Sequence, residues 1–311
     1  MSAANEMKTL GVLIKRNVKC YFKDKAMFIT SLITPIILLV LYAFFLYDKY
    51  KEGFLAAIPE GVPCDEKLID ALVVGLLLSS LLAVSTITVS FCANLYMVQD
   101  KATRARYDFT IAPVKAHTLA FGYFLSTAIN GLLISLVATA LGFIYLACTG
   151  WYLSFGDVMA LLLDVFLLVL LGTSLSSLIC YPLTTQGQLS AVGTVISAGY
   201  GFICGAYMPI AQYGAGLRNF LTCLPGTYGT ALLRTHALQG VYEEMGKQNV
   251  PQAAIDGMKE VSDCAFEFFG HKVEIWQMYL VLVISIAIFT GVYVLLNYLG
   301  AKRLTKAKKS K

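Results

Sequence analysis

Six apolar runs alternate with short polar stretches along the chain: Met27–Tyr47, Leu68–Val98, His117–Cys148, Val158–Tyr181, Gln188–Met208 and Trp276–Gly300. Each is long enough to cross a bilayer, since a helix rises ~1.5 Å per residue and the hydrocarbon core is ~30 Å thick. A backbone in that medium has no water to bond to, so each run is predicted to be helical. The expected fold class is an all-α membrane protein with six transmembrane helices over residues 27–300. Ahead of them, Lys8–Met27 is amphipathic. Leu10, Leu13, Ile14, Val18, Tyr21 and Phe22 recur at helical spacing, with Lys15, Lys19 and Lys23 on the other side. This predicts an interfacial helix within residues 1–26. It reads either as a topology anchor or as a lever between a cytoplasmic partner and the first span. Pro35 lies inside the first run, where it removes one backbone hydrogen bond.

The pattern breaks down between the fifth and sixth runs, over about 209–274. Pro209–Arg234 is apolar, Gly-rich and interrupted by Pro225–Gly226, so it is expected to form a re-entrant hairpin. Pro251–Phe269 places Ala254, Met258, Val261, Ala265 and Phe268 at helical spacing, with Pro251 suited to a first turn. It is expected to form a small helical cap outside the membrane.

Composition agrees with a membrane protein: 58% of residues are apolar and 14% charged, and mean hydropathy is +0.70. The net charge of +5 is unevenly spread. Lysine and arginine gather before the first run, between Gln99 and Ala116, and in the tail 301–311, while the other loops are acidic or nearly uncharged. The positive-inside rule then puts both termini in the cytoplasm. The tail belongs against anionic lipid, and no nucleic-acid partner is expected. The start is not expected to be a cleavable signal peptide, because its apolar run is too long and no small-residue cleavage site follows.

Candidate chemistry is sparse. Ser79, Thr86, Ser90 and Asn94 fall in a narrow arc of the second run. They read either as hydrogen bonds between packed helices or as the face of a pathway. Gly193, Ser197, Gly201 and Gly205 are spaced four apart in the fifth run, and Gly201–Gly205 is a GxxxG match, which predicts a tight helix contact. Asp164 lies seven residues past Asp157, so ~10 Å deep. Its two readings are a hydrogen-bonded structural acid, with Asn130 at similar depth, and a contact for substrate or cation. The eight cysteines include no CxxC pair. Cys64, Cys223 and Cys264 fall on the expected outer side, leaving one disulfide among them open. No GxxxxGK[ST], GxSxG or HExxH occurs, and His117, His236 and His271 are scattered, so no active site, metal site or cofactor is expected in this chain.

Several stretches resemble the ABC-2 type permeases, the membrane subunits of ABC exporters. They are LGVLIKRNVKCYFKDKAMFITSLITPIILLVLY at the start, VQDKATRARYDFTIAPVKAHTLAFGYFLS after the second run, LPGTYGTALLR before the last, and the six-span order. The resemblance implies that the loop after the second span docks on a separate ATPase subunit that holds ATP and Mg. Asp100, Lys101, Thr103, Arg104, Tyr107, Thr110, Pro113 and Val114 match that loop. The family often shows a glutamate and a glycine early in it, where this chain has Asp100 and Ala102. It also implies a second permease copy or paralogue, with the second and fifth spans lining the path. The function expected is export of an amphipathic substrate (drug, lipid, lipid-linked glycan or peptide) across the plasma membrane. Alternatives are an ion-coupled secondary transporter using Asp164 and a membrane-embedded transferase.

Overall fold

The computed structural model describes residues 3–59, 65–103, 105 and 114–309. Helix α1 (Ala3–Lys23) ends at Asp24, whose side chain accepts from the Met27 amide and starts α2 (Lys25–Ala56). Pro35 is accommodated within α2; the change of hydrogen-bond register comes later, as a π-turn over Tyr42–Leu46. Then come α3 (Glu66–Ala102), α4 (Ala116–Thr149) and α5 (Phe155–Cys180). Helix α5 opens on a capping box in which Ser154 and Asp157 satisfy each other's amides. A second box, Thr185 with Gln188, opens α6 (Gln186–Ile203).

Among the described residues, five helices are long and apolar enough to span a membrane: Lys25–Ala56, Glu66–Ala102, Ala116–Thr149, Phe155–Cys180 and Ile275–Gly300. The remaining expected run is helical but shorter and more polar. Helix α6 has 18 residues, ~27 Å, and carries Gln186, Gln188, Ser190, Thr194 and Ser197. It stops at Ile203 rather than continuing to Met208.

The segment expected to form a re-entrant hairpin contains a long helix. A single 3₁₀ turn (Ile210–Gln212) and a short α7 (Ala215–Leu221) lead into α8 (Pro225–Lys247). The proline that looked like a break is the first residue of α8, where its missing N–H costs nothing. Most of α8 is buried. Gly226 faces Tyr200 and Gly229 faces Leu168 in the middle of α5, while Gly240 meets the Tyr152 carbonyl in the α4–α5 loop. Helix α8 therefore starts beside the middle of α5 and climbs toward that loop.

The cap helix is shorter than expected. Helix α9 (Gln252–Val261) begins after Pro251, which stands at its N-cap, and ends where Asp263 takes φ +56°. A hairpin, β1 (Glu267–Phe268) with β2 (His271–Lys272), follows, paired Glu267↔Lys272 and Phe268↔His271. Helix α10 (Ile275–Lys309) closes the chain. Helix α3 is the centre of the molecule, enclosed by α2, α4, α5, α6 and α8 and buried along almost its whole length. By contrast, α2, α4 and α10 each turn a broad apolar side outward. Outward apolar residues on buried-scale helices are what lipid, or another apolar surface, requires.

Candidate functional site

Two polar clusters stand out, one at the α1 end of the bundle and one toward the cap. At the α1 end, α1 packs along α4, with Leu13 seated against Gly122. That contact brings Arg16 to the foot of α3. Its guanidinium donates to both oxygens of buried Asp100, Nη1 to Oδ2 at 2.5 Å and Nη2 to Oδ1 at 3.0 Å. The Tyr123 hydroxyl of α4 donates to the same Oδ2 at 2.6 Å. The hydrogen bond to Asp100 holds Arg16 well above its usual range. Asn17 continues the seam to Ser126 at 3.3 Å, and the Tyr96 hydroxyl donates to the Cys20 carbonyl at 3.0 Å. A fork on a carboxylate fixes orientation as well as distance, so α1, α3 and α4 are locked together here.

The other described loop residues extend this junction. Lys101 Nζ donates to the carbonyls of Cys180, Tyr181 and Leu183 at 3.3, 2.6 and 3.3 Å, a cation placed on the C-terminus of α5. Thr103 caps α3 through the Gln99 carbonyl, and Val114 packs on the core. Glu6 pairs with Lys115 just ahead of α4, and that hydrogen bond lowers the Glu6 pKa. Arg104, Tyr107, Thr110 and Pro113 lie outside the described residues.

Inside the bundle, Ser79, Thr86 and Ser90 are buried and donate to carbonyls of their own helix, Leu76, Ala83 and Thr86. Asn94 reaches across to Ser176 and Ser177 of α5 at 3.1 and 3.0 Å. Gly131 and Gly172 both face Ser90, so small residues on α4 and α5 let these helices close on α3.

The Gly193–Ser197–Gly201–Gly205 series does not form one helical stripe. Gly205 lies beyond the end of α6 at φ +76°, a conformation that favours glycine, and faces Ile210. Gly201 faces the ring of Tyr207, and Gly193 faces open space. Both close approaches are to the chain turning back on itself, because the helix ends two residues before Gly205.

Toward the cap, Asp164 is fully buried with both oxygens engaged. His236 Nδ1 of α8 lies 2.6 Å from Oδ2, and the Tyr279 hydroxyl of α10 donates to Oδ1 at 2.6 Å. Asn130 is not a partner; its Oδ1 is buried and unbonded. Beside this triad, Arg234 Nη1 donates to Asp263 Oδ2 at 2.6 Å, and Nη2 donates to the Gly205 carbonyl at 2.7 Å and Ser80 Oγ at 3.1 Å. Asp263 also accepts from the Ile210 and Ala211 amides at 2.6 and 2.9 Å. Burial pushes its carboxyl up, against the pull of Arg234. Cys223 and Cys264 are free thiols, and Cys64 lies outside the described residues.

Sequence reasoning singled out Asp164 and Asp100 but missed Arg16, Tyr123, Arg234, His236, Asp263 and Tyr279. One signal was available: two basic side chains, Arg234 and His236, within an apolar stretch require acids nearby.

The family model described as ABC-2 type transporter matches residues 8–237, from α1 into α8. The chain belongs to the ABC-2 type transporter family. It is therefore a multi-pass membrane component of an ABC transporter, of a kind that associates with an ABC ATPase subunit. The match takes in Arg16, Asp100, Asp164, Arg234 and His236 and stops short of Asp263 and Tyr279. A comparison with curated proteins finds no match.

Proposed function

We propose that this ABC-2 type chain is the permease subunit of an exporter, driven by ATP that a separate subunit binds with Mg and hydrolyses. The observation that carries this reading is the Arg16–Asp100–Tyr123 junction. A force applied to the loop after α3 reaches α1 and α4 directly, because all three meet on one buried carboxylate. Helix α1 then acts as a lever, and the loop 99–116 is the ATPase contact. Both termini are cytoplasmic in the plasma membrane, consistent with the clustered lysines and arginines. Helix α6 is the fifth of six spans, and α8 is re-entrant, starting at mid-depth beside Leu168 and returning outward under the cap. A second copy or paralogue completes the path, along the α3 and α6 sides, for an amphipathic substrate. The full engagement of Asp164 by His236 and Tyr279 favours a structural acid over an ion-coupling site.

Coupled transport tests this. The chain co-purified with its ATPase and reconstituted in vesicles should export amphipathic probes only with ATP inside the ATPase-bearing compartment. Asp100→Asn and Arg16→Gln should leave the complex assembled but lower transport per ATP hydrolysed. Full, ATP-independent transport by the chain alone would overturn the proposal.

A further inference from the structure

The hairpin between α9 and α10 ends in two neighbouring phenylalanines that this chain leaves uncovered. Phe268 and Phe269 are 37% and 55% exposed, and their rings meet edge to face at 4.8 Å, forming one aromatic wedge. The turn holds Phe269 at φ +49° and Gly270 at φ +81°. Two successive left-handed residues make the tight turn that joins paired strands, and its first position ordinarily takes Asn, Asp or Gly. A phenylalanine there is strained, and its exposed ring gains little packing within the chain in return.

The depth of the wedge follows from the two helices beside it. Tyr181, just past α5, donates to the Leu296 carbonyl of α10 at 2.8 Å, and Tyr279 of α10 donates to Asp164 of α5 at 2.6 Å. Asp164 and Tyr181 are seventeen residues apart, as are Tyr279 and Leu296, so α5 and α10 run side by side for ~25 Å. Lys101, on the last carbonyls of α5, marks the Tyr181 end as the basic foot. Trp276 stands ~30 Å from that end, one hydrocarbon thickness, and is 59% exposed. That is the level of an aromatic belt. Both legs of the hairpin are tied near this level. Phe266 packs on Tyr228, ring centres 4.9 Å apart, next to Gly229, which faces Leu168, ~20 Å from the Tyr181 end. The Val273 amide donates to the Phe266 carbonyl at 2.9 Å, and the chain reaches Trp276 three residues later. Phe269 is three residues beyond Phe266, within ~10 Å of that base. Whichever way the hairpin leans, the wedge lies about the edge of the hydrocarbon layer. In depth and along the chain it continues the outward apolar side that α10 begins at Ile275 and Trp276.

We propose that the Phe268–Phe269 wedge inserts into the cap-side leaflet of the bilayer that this chain spans, as an interfacial anchor for the cap. The rings enter the boundary between headgroups and acyl chains. Glu267, His271 and Lys272, exposed on the rungs behind them, stay among the headgroups. Glu267 stands opposite Lys272, so the rungs carry both signs and suit a zwitterionic surface. The segment held in this way leads back to Asp263, which grips Arg234, so the leaflet steadies the cap over α8. The proposal rests on the multi-pass membrane class, and neither on the exporter reading nor on which face is outside.

The test maps what touches the wedge. The full chain is reconstituted into phosphatidylcholine nanodiscs and probed from both phases, with a phosphatidylcholine carrying a diazirine close to its glycerol and with hydroxyl radicals from the water side. Peptide mass spectrometry should find lipid adducts at Phe268 and Phe269 as at Trp276. Oxidation of the two phenylalanines should be about fivefold or more below that of the chain unfolded in denaturant. Asn tolerates the left-handed turn, so Phe269→Asn keeps the hairpin. Together with Phe268→Ser it should lower adducts on the hairpin peptide about fivefold and leave those at Trp276 unchanged. The wild-type map decides the matter alone if that double variant folds poorly. Strong oxidation without lipid adducts would put the wedge in water, and protection from both probes would mean that protein, such as a second copy, covers it. Either result would overturn the proposal, as would an unchanged adduct yield in the well-folded double variant.

Discussion

Arg234 carries a full charge at about 1% side-chain exposure, facing Asp263 at 6%. Such a pair adds little over apolar packing, but breaking it strands a buried charge, at about 3–5 kcal/mol. Arg234→Met should therefore lower thermal stability sharply, and Arg234→Met with Asp263→Leu should recover part of the loss. A double variant less stable than Arg234→Met would show that the Asp263 bonds to the Ile210 and Ala211 amides dominate. Asp164→Asn should be milder, by roughly 1–3 kcal/mol. Its amide oxygen still accepts from one of its two partners, and the –NH₂ group must face the other. At the surface, Glu6 has a pKa lowered below 4.5 by Lys115. A depressed carboxylate contributes above its unfolded value, and the contribution is lost as pH falls through the folded one. Protease cleavage of α1 should thus be slower in wild type than in Glu6→Gln at pH 7, and the difference should shrink as pH falls below 4.5. Equal rates at pH 7 would show that the pair does not hold α1.

At the scale of elements, the long apolar runs were legible because period and length are local properties. Helices α2, α3, α4, α5 and α10 lie where apolar residues accumulate. The miss was α8. Its hydropathy is diluted by Arg234, His236, Gln239, Glu243 and Glu244, and its start at Pro225 looked like a break. What makes it a helix is enclosure by α3, α5 and α10, which no window of sequence contains. The glycine series failed for a related reason: four-residue spacing implies a face only while the helix lasts, and α6 ends at Ile203. The consequence is testable. Gly201→Leu would drive a side chain into Tyr207, and Gly205→Ala would be strained at φ +76° and press on Ile210. Both should destabilise the turn from α6 into α8, by about 1–3 kcal/mol. Gly193→Leu meets nothing within the chain and should leave its stability unchanged. If Gly193→Leu nonetheless blocks assembly or export, a second copy packs there.

At the scale of the whole molecule, the polar residues divide the chain into a basic foot and a neutral-to-acidic cap joined by one buried helix, α3. Family membership was legible from the stretches around α1, the loop after α3 and the start of α8, and the multi-pass membrane class from the apolar runs. The junctions were not, because Arg16 meets Asp100 across 84 residues and His236 meets Asp164 across 72. Orientation is where the two ends become distinguishable by experiment. In the orientation proposed above, with α6 crossing and α8 turning back, the termini share a side, Cys20 faces the cytoplasm, and Cys223 and Cys264 lie toward the outside. Cys223 is exposed, whereas burial pushes the Cys264 thiol up to about 11. The thiolate is the reacting form, so at pH 7.5 Cys264 is a slow target even from the correct side. Intact cells carrying single-cysteine variants and treated with an impermeant maleimide should label Cys223 quickly, Cys264 slowly and faster with rising pH, and Cys20 only after lysis. A crossing α8 would move the cap to the other side of the membrane from the chain before it. Fast labelling of Cys20 in intact cells, with Cys223 silent until lysis, would invert the molecule and place the loop after α3 out of reach of ATP.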